Sequence, residues 1–371
     1  MRGQVQRQQA MFVAFNIEDR VPENHPLRPI KRWCDKVLAG MNHDFTSAYG
    51  DTGAVSIPPE SIIKALLLRA LYSIPSETRL CEACEYNILY RWFIDWPLEE
   101  KMWTQEAITM NRPRFEAHDL VGKFFNRVVA EGIIEGLIGD DRFVVDGTLI
   151  RSLAGHKSIQ PINTDTNDHS DDDHDGNGWS SFKGCKRVNA THRSVVDSEA
   201  RLASKGGAAH LSHSMHLLTD AHTGLCVSMS VDTADGRAER RNALAMLDRV
   251  RVRHRLAPKK LAADAGYASG EFLGAVEERG ITPHSALPRK KIKGDTAQHR
   301  ARKRMRRRMR TKAYRESQKL RKFVEPVIGW CKLVGGLNRT RFIGHERVQN
   351  DAMLVASAWN LLRMTRLKGA P

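Results

Sequence analysis

Long apolar runs, an export leader and a cysteine framework are all missing from this 371-residue chain. No stretch approaches the roughly 18 to 20 consecutive apolar residues that a membrane-spanning helix needs, so no membrane role is expected. The opening Met1-Arg2-Gly3-Gln4-Val5-Gln6-Arg7 is polar and has no apolar h-region, which makes the cytoplasm the expected compartment. The six cysteines (Cys34, Cys81, Cys84, Cys185, Cys226, Cys331) are too sparse and irregular for a disulfide scaffold. Cys81 and Cys84 form a C-x-x-C, but no second Cys or His pair follows at finger spacing and the pair falls in a helical pattern. Two buried or half-buried helix residues are therefore expected there, not a zinc or redox site. What is present is a globular balance, 41% hydrophobic and 27% charged, in a length that suits two or three domains.

The charge is strongly uneven. Between Arg289 and Lys322 stand 17 basic residues opposed only by Asp295 and Glu316, a net +15 of the chain's +16. Such a segment repels itself unless an anion lies opposite, and a nucleic-acid backbone satisfies it through counterion release. A solvated helical face is the plainer alternative. Met305 and Met309, four residues apart, give the run an apolar anchor at helical spacing and favour an ordered DNA-holding segment that includes Arg302, Lys303, Arg304, Arg306, Arg307, Arg308 and Arg310.

Residues 57–139 read as helical throughout. Pro58 and Pro59 precede an apolar run from Ile62 to Leu71, Ser76 is placed to N-cap a second helix ending near Asn87, and Val121, Phe124, Phe125, Val128, Val129 and Ile133 recur at helical spacing. An N-terminal helical domain, 1–139, is expected, either DNA-reading or supporting dimerisation. From Arg142 the pattern changes. Arg142 to Asp146 reads as a short strand ending on an acid, and Leu225, Val227, Met229 and Val231 alternate with Cys226, Ser228, Ser230 and Asp232 after a Thr223-Gly224 hairpin turn. A helix over about 237–254, a strand at Lys260–Asp264, a further helix and a strand at Ile281–Ser285 complete an α/β domain, 140–371. The polar stretch 155–207 reads as a surface insertion. Inside it Asp171, Asp173, Asp175 and Gly176 match the first half of a calcium loop, as do Asp173, Asp175, Asn177 and Gly178. The Glu needed at the twelfth position is absent, with Phe182 or Gly184 in its place, so no EF-hand is expected.

Three carboxylates stand out by context. Asp146 is followed by Gly147-Thr148. Asp264 lies in Ala262-Ala263-Asp264-Ala265-Gly266-Tyr267, where small neighbours would let a phosphodiester approach. Glu325 follows the basic run, with Arg321 and Lys332 close to its helical face and Val324, Val327, Ile328, Cys331 and Val334 on an adjacent apolar stripe. Taken singly, each Asp suits a turn or a helix cap. Converging, three acids would repel one another and call for divalent cations such as Mg²⁺, two of which can serve an in-line displacement at phosphorus.

The segments Asp146-Gly147-Thr148, Asp264-Ala265-Gly266-Tyr267 and Arg321-x3-Glu325-x6-Lys332, then Gly335-Gly336 and Arg339-Thr340-Arg341, resemble the DDE transposases of bacterial insertion sequences, in particular the insertion sequence five family. The early Asp19-Arg20-Val21-Pro22, His25-Pro26-Leu27-Arg28 and Ser56-Ile57-Pro58-Pro59-Glu60 are similar to that family's helical N-terminal domain, and Ala358-Trp359-Asn360-Leu361-Leu362-Arg363 to its closing helix. The resemblance implies a ribonuclease H-like catalytic domain with Asp146, Asp264 and Glu325 as the metal-holding triad. It further implies Mg²⁺, with Mn²⁺ able to substitute, and Arg321 and Lys332 on phosphate. Double-stranded DNA would be the substrate, a dimer or larger synaptic assembly the working form, and association with the nucleoid follows from DNA binding. Two positions depart from the family pattern. Gln318 stands where a Tyr is expected seven residues before Glu325, and Pro326 follows Glu325, where it would kink or restart the helix. A metal-dependent nuclease without strand transfer and a non-catalytic DNA-binding remnant of a transposase are the rival readings, and a sugar or peptide hydrolase would leave the basic run unexplained.

Overall fold

The computed structural model describes residues 16–50, 56–162, 188–236, 238–289 and 292–369. Eight helices come first: α1 (Ile17–Arg20), α2 (Leu27–Ala39), α3 (Asn42–Ala48), α4 (Pro59–Leu71), α5 (Glu77–Tyr86), α6 (Ile88–Ile94), α7 (Gln105–Ala117) and α8 (Leu120–Ile134). The local signals act as anticipated. Pro59 opens α4, where its missing N–H costs nothing, and the Ser76 hydroxyl accepts from Arg79 N at 3.2 Å to cap α5. Cys81 and Cys84 are buried in α5 as free thiols. Burial pushes them up to about 11 and about 12, which keeps them protonated and inert.

Strand β1 (Arg142–Arg151) begins the sheet, followed by β2 (Ile159–Pro161), β3 (His192–Ser194), β4 (Arg201–Ala203), β5 (His210–Asp220) and β6 (Cys226–Thr233). Then come α9 (Ala238–His254), β7 (Lys260–Ala263), α10 (Gly270–Glu278), β8 (Thr282–Ser285), α11 (Ala297–Arg308), α12 (Lys312–Leu320), α13 (Val324–Leu333) and α14 (His345–Lys368). Across the sheet the order is β6-β5-β1-β7-β8, with β4 extending the outer edge of β5. β1, β5 and β6 are antiparallel neighbours, while β7 and β8 run parallel to β1. This mixed sheet flanked by helices is the ribonuclease H-like α/β arrangement.

Two expectations change. β1 does not stop at Asp146: its ladder with β5 runs from Phe143↔Asp220 to Arg151↔Ser212, so Gly147-Thr148 is strand and not turn. The polar insertion is also narrower than 155–207, because β2 pairs β3 and β4 joins the main sheet. Ala154, Ile159, Ala200 and Leu211 form a small core under these strands, while Asp197 is fully buried between Ser152 Oγ at 2.6 Å and His213 Nε2 at 2.9 Å. The calcium-like stretch Asp171–Gly178 and Cys185 lie outside the described residues, as do Lys290 and Lys291.

α14 ties the layers together. Buried along nearly its whole length, it packs against α2, α4 and α8 and also against β6. Asn360 accepts from Cys226 N and donates to Cys226 O, both at 2.8 Å, while Trp359 Nε1 donates to Gly224 O at 2.8 Å. The Trp-Asn pair therefore satisfies backbone groups at the start of edge strand β6, which would otherwise be open to strand addition.

Candidate active site

The site begins where β7 ends. β7 pairs with β1 only over Arg142–Val144 and stops at Ala263, so beyond Val144 the β1 strand has lost its parallel neighbour. Asp146 and Asp264 stand at this opening, each two residues past the last paired position, Val144↔Ala262. Asp264 caps the following turn, its Oδ1 accepting from Gly266 N at 2.8 Å. Asp146 Oδ1 accepts from Gly147 N at 2.8 Å. In both, one oxygen is oriented by a backbone amide and the second has no hydrogen-bond donor among the described residues, a donor set suited to a hard cation. Burial raises the Asp146 carboxyl above its ordinary range and the Asp264 charge adds to this, opposed by the Gly147 N–H and by Lys205 and Arg321. The Asp264 charge thus disfavours ionisation of Asp146, as expected of an acid awaiting a counter-charge.

α13 carries the third acid along one face of β1. After α12 the chain makes a single 3₁₀ turn, Arg321–Phe323, and α13 restarts at Val324, which places Pro326 in a first turn where an N–H is not needed. Val324 packs on Val144 and Ala262, and Lys332 Nζ lies 3.3 Å from Thr148 Oγ1. Val144, Asp146 and Thr148 alternate onto one side of the strand, so Lys332, and Arg321 whose charge acts on Asp146, lie on the Asp146 side. Glu325 is exposed and has no ion-pair partner among the described residues. Burial, with the nearby Arg151 and Lys205, depresses the Lys332 ammonium. The sheet brings Asp146 and Asp264 together; Glu325 stays at the rim, and among the described residues no three His, Cys, Asp or Glu side chains converge as a ready-made metal centre. Gln318, on α12 and seven residues before Glu325, donates to His284 O at 2.9 Å.

The basic segment divides into two populations. Met305 is fully buried against Leu273, Leu287 and Tyr314, with Met309 packed alongside, so the anchor holds α11 to α10 and α12. Arg304 and Arg308 pair with Glu277 of α10, and Arg300 and Lys303 lie 3.5 and 3.4 Å from Asp295. Arg306 donates to Pro288 O at 2.7 Å, and Arg302 is partly buried. Arg307, Arg310, Lys312, Arg315, Lys319 and Lys322 remain exposed.

Residues outside the expected set also border the opening. A Cβ at Gly147 would sit 3.3 Å from Glu239 Oε1, and one at Gly266 would sit 3.4 Å from Glu239 Oε2 and 3.0 Å from Asp264 Oδ1. Lys205 Nζ bridges Glu239 Oε1 at 3.1 Å and Gly147 O at 2.6 Å.

The family model described as "Transposase DDE domain" matches residues 139–361, and that described as "Transposase domain (DUF772)" matches 15–114. The chain belongs to the DDE transposases. No curated protein matches it. The transposase acts on DNA and, as a member of this family, depends on divalent metal in general. Its DDE match starts three residues before β1 and takes in the strand ends, the basic helices, α13 and most of α14. Among the described residues no helix is long and apolar enough to cross a membrane.

Proposed function

We propose that the transposase cuts the ends of an insertion sequence and joins the freed 3′-hydroxyls to target DNA, with Asp146, Asp264 and Glu325 as the carboxylates that hold two Mg²⁺ ions. The observation that carries this reading is the placement of Asp146 beside Asp264 where β7 ends and β1 runs on without its parallel neighbour, each with one carboxylate oxygen fixed and one free. Bound there, the ions would supply Lewis-acid activation of the attacking oxygen and stabilisation of the leaving one. The chain's own contribution is positional. Arg321 and Lys332, on the Asp146 side of β1, hold the scissile phosphate between them, and a phosphate would supply the opposite charge that the Lys332 ammonium, depressed by burial and by Arg151 and Lys205, lacks. The exposed bases of α11 and α12, Arg307 and Arg310 among them, track the duplex backbone with Arg302, Lys303 and Arg306 beside them, while Arg304 and Arg308, tied to Glu277, hold α11 in place. Two ends processed together imply a dimer or larger assembly, with the helical layer, α1–α8, as its DNA-reading or dimerising part and the nucleoid as its place of work.

Asp146→Asn, Asp264→Asn and Glu325→Gln should each lower cleavage and strand transfer on labelled element-end duplexes in Mg²⁺ by at least about a hundredfold. Unchanged rates in any one of them remove that residue from the triad. Cleaved but never joined products with a free 3′-hydroxyl supplied would reduce the enzyme to a nuclease.

A further inference from the structure

We propose that Glu239 is a fourth metal-holding carboxylate of the Asp146–Asp264 site, and that Lys205 occupies its carboxylate when no divalent cation is present. This rests on the reading of that site as the metal centre and extends it to an acid from the opposite side of the sheet. α13 brings Glu325 along the Val144 and Asp146 face of β1. Glu239, the second residue of α9, reaches the same opening over Gly147, whose missing side chain points the other way.

Three observations carry the assignment. The Glu239 oxygens lie against both Gly147 and Gly266, and the point beside Gly266 is bordered by Asp264 Oδ1 and Glu239 Oε2 alike. A side chain at Gly266 would fill the space between Asp264 and Glu239, and one at Gly147 would press on His216 Nδ1 at 2.9 Å and on Glu239, so the strand and the turn are both bare on the Glu239 side. Secondly, the Tyr267 side chain is fully buried and its hydroxyl has no hydrogen-bond partner among the described residues. The charges that hold its phenol well above the ordinary range, after burial itself, are those of Glu239, Asp146 and Asp264. An orphaned donor beside acids that do not themselves converge on one point marks a place where a hydrated cation is the missing neighbour. Thirdly, the cation that holds the Glu239 carboxylate is on a long, flexible stem. Lys205 Nζ bridges Glu239 and Gly147 O, its side chain is 52% exposed, and its charge acts on Asp146. An ammonium held this way is a counter-ion that a divalent cation can displace. A helix-terminus acid serving only the macrodipole would have no reason to fold over two glycines.

The test is Mn²⁺ binding to the full chain without DNA, read by electron paramagnetic resonance of free Mn²⁺ and by calorimetry, so that no turnover enters. Wild type should bind Mn²⁺, and Asp146→Asn should lose it. Glu239→Gln, close to isosteric, should weaken binding by about tenfold or more, with a near-ultraviolet dichroism spectrum like that of wild type. Lys205→Met, at a largely exposed position, should bind Mn²⁺ severalfold more tightly, which keeps the proposal testable if Glu239→Gln folds poorly. Wild-type affinity in Glu239→Gln, or no gain in Lys205→Met, overturns the role of Glu239 while Asp146→Asn still defines the site. Wild-type affinity in Asp146→Asn, or no Mn²⁺ uptake by wild type at millimolar concentration, overturns the metal-centre reading and this inference with it.

Discussion

At the scale of single residues, protonation is set by burial. His284 is buried on β8 and its Nδ1 lies 2.6 Å from Ser317 Oγ of α12. Burial, followed by the charges of Arg142, Arg308 and Lys260, pushes its imidazole down to about 4. A folded-state value below the unfolded one means that the unfolded chain binds the extra proton first, so stability is full above about pH 6.5 and falls as pH drops toward 4. Asp197, held by His213 and Ser152 at about 2, adds a second loss that begins only below about pH 4. His216 of β5 is pushed down by burial to about 4 as well, so urea unfolding should give a lower stability at pH 5 than at pH 7, by roughly 2–4 kcal/mol, and His284→Gln should remove about half of that loss. A profile that is level or rises toward pH 5 contradicts the assignment. Of the paired acids, Asp146 lies inside β1 and not at its end, while the place of Asp264, where the apolar β7 gives way to small residues, was legible in the sequence. Glu239 was not. An acid in the first turn of a helix is what the macrodipole alone selects, and only the register of β1 against β7, with two bare glycines, reveals what it overhangs.

At the scale of elements, the arginine-rich helix is two devices in one. Its fixed face is tied to α10 through Glu277, Met305 and the close approach of Gly270, where a Cβ would come within 2.5 Å of Gln298 O. Its free face, continued by α12, carries the exposed bases. Changing Arg307, Arg310, Arg315 and Lys319 to Gln should reduce the salt dependence of DNA binding by about 3 to 4 in log–log slope. Arg304→Gln with Arg308→Gln should alter that slope little and instead leave Glu277 unpaired, which lowers stability. Equal slopes for the two variants would show that the pairing with Glu277 does not persist on DNA. Gly270→Ala, which must push against α11 backbone, should cost about 1–3 kcal/mol and speed tryptic cleavage within 297–310; unchanged proteolysis would mean that α11 docks without that contact. The sequence located this segment and its methionine anchor, since both are local patterns. It did not separate paired from free arginines, because Glu277 lies on another helix. The continuation of β1 past Asp146 was hidden for the same reason: its ladder partner is some seventy residues away, and Gly147-Thr148 looks like a turn until β5 is beside it.

At the scale of the whole molecule, the helical layer and the catalytic sheet share one hydrophobic core that extends from Val21 to Met364, and α14 is the element common to both. Its polar residues are as telling as its apolar ones. Asp351 is buried against Arg69 of α4 in an ion pair whose side chains are each only 10% exposed, while Asn360 and Trp359 are committed to the β6 end. A helix buried on so many sides shows no clean amphipathic stripe, which is why its sequence gave only a family likeness and no hint that it joins the layers. Breaking the buried pair from one side leaves a charge without compensation, so Asp351→Asn should cost about 3–5 kcal/mol, whereas Arg69→Met with Asp351→Leu should cost much less. Because α14 serves both layers, the loss should be global: hydrogen exchange in Asp351→Asn should accelerate together in peptides from α4 and from β5. Acceleration confined to α4, with β5 as protected as in wild type, would mean that the two layers unfold independently. In that case α14 would be a passenger on the helical layer, and a signal from DNA bound there would have no rigid path to the opening beside β7 where Asp146 and Asp264 stand.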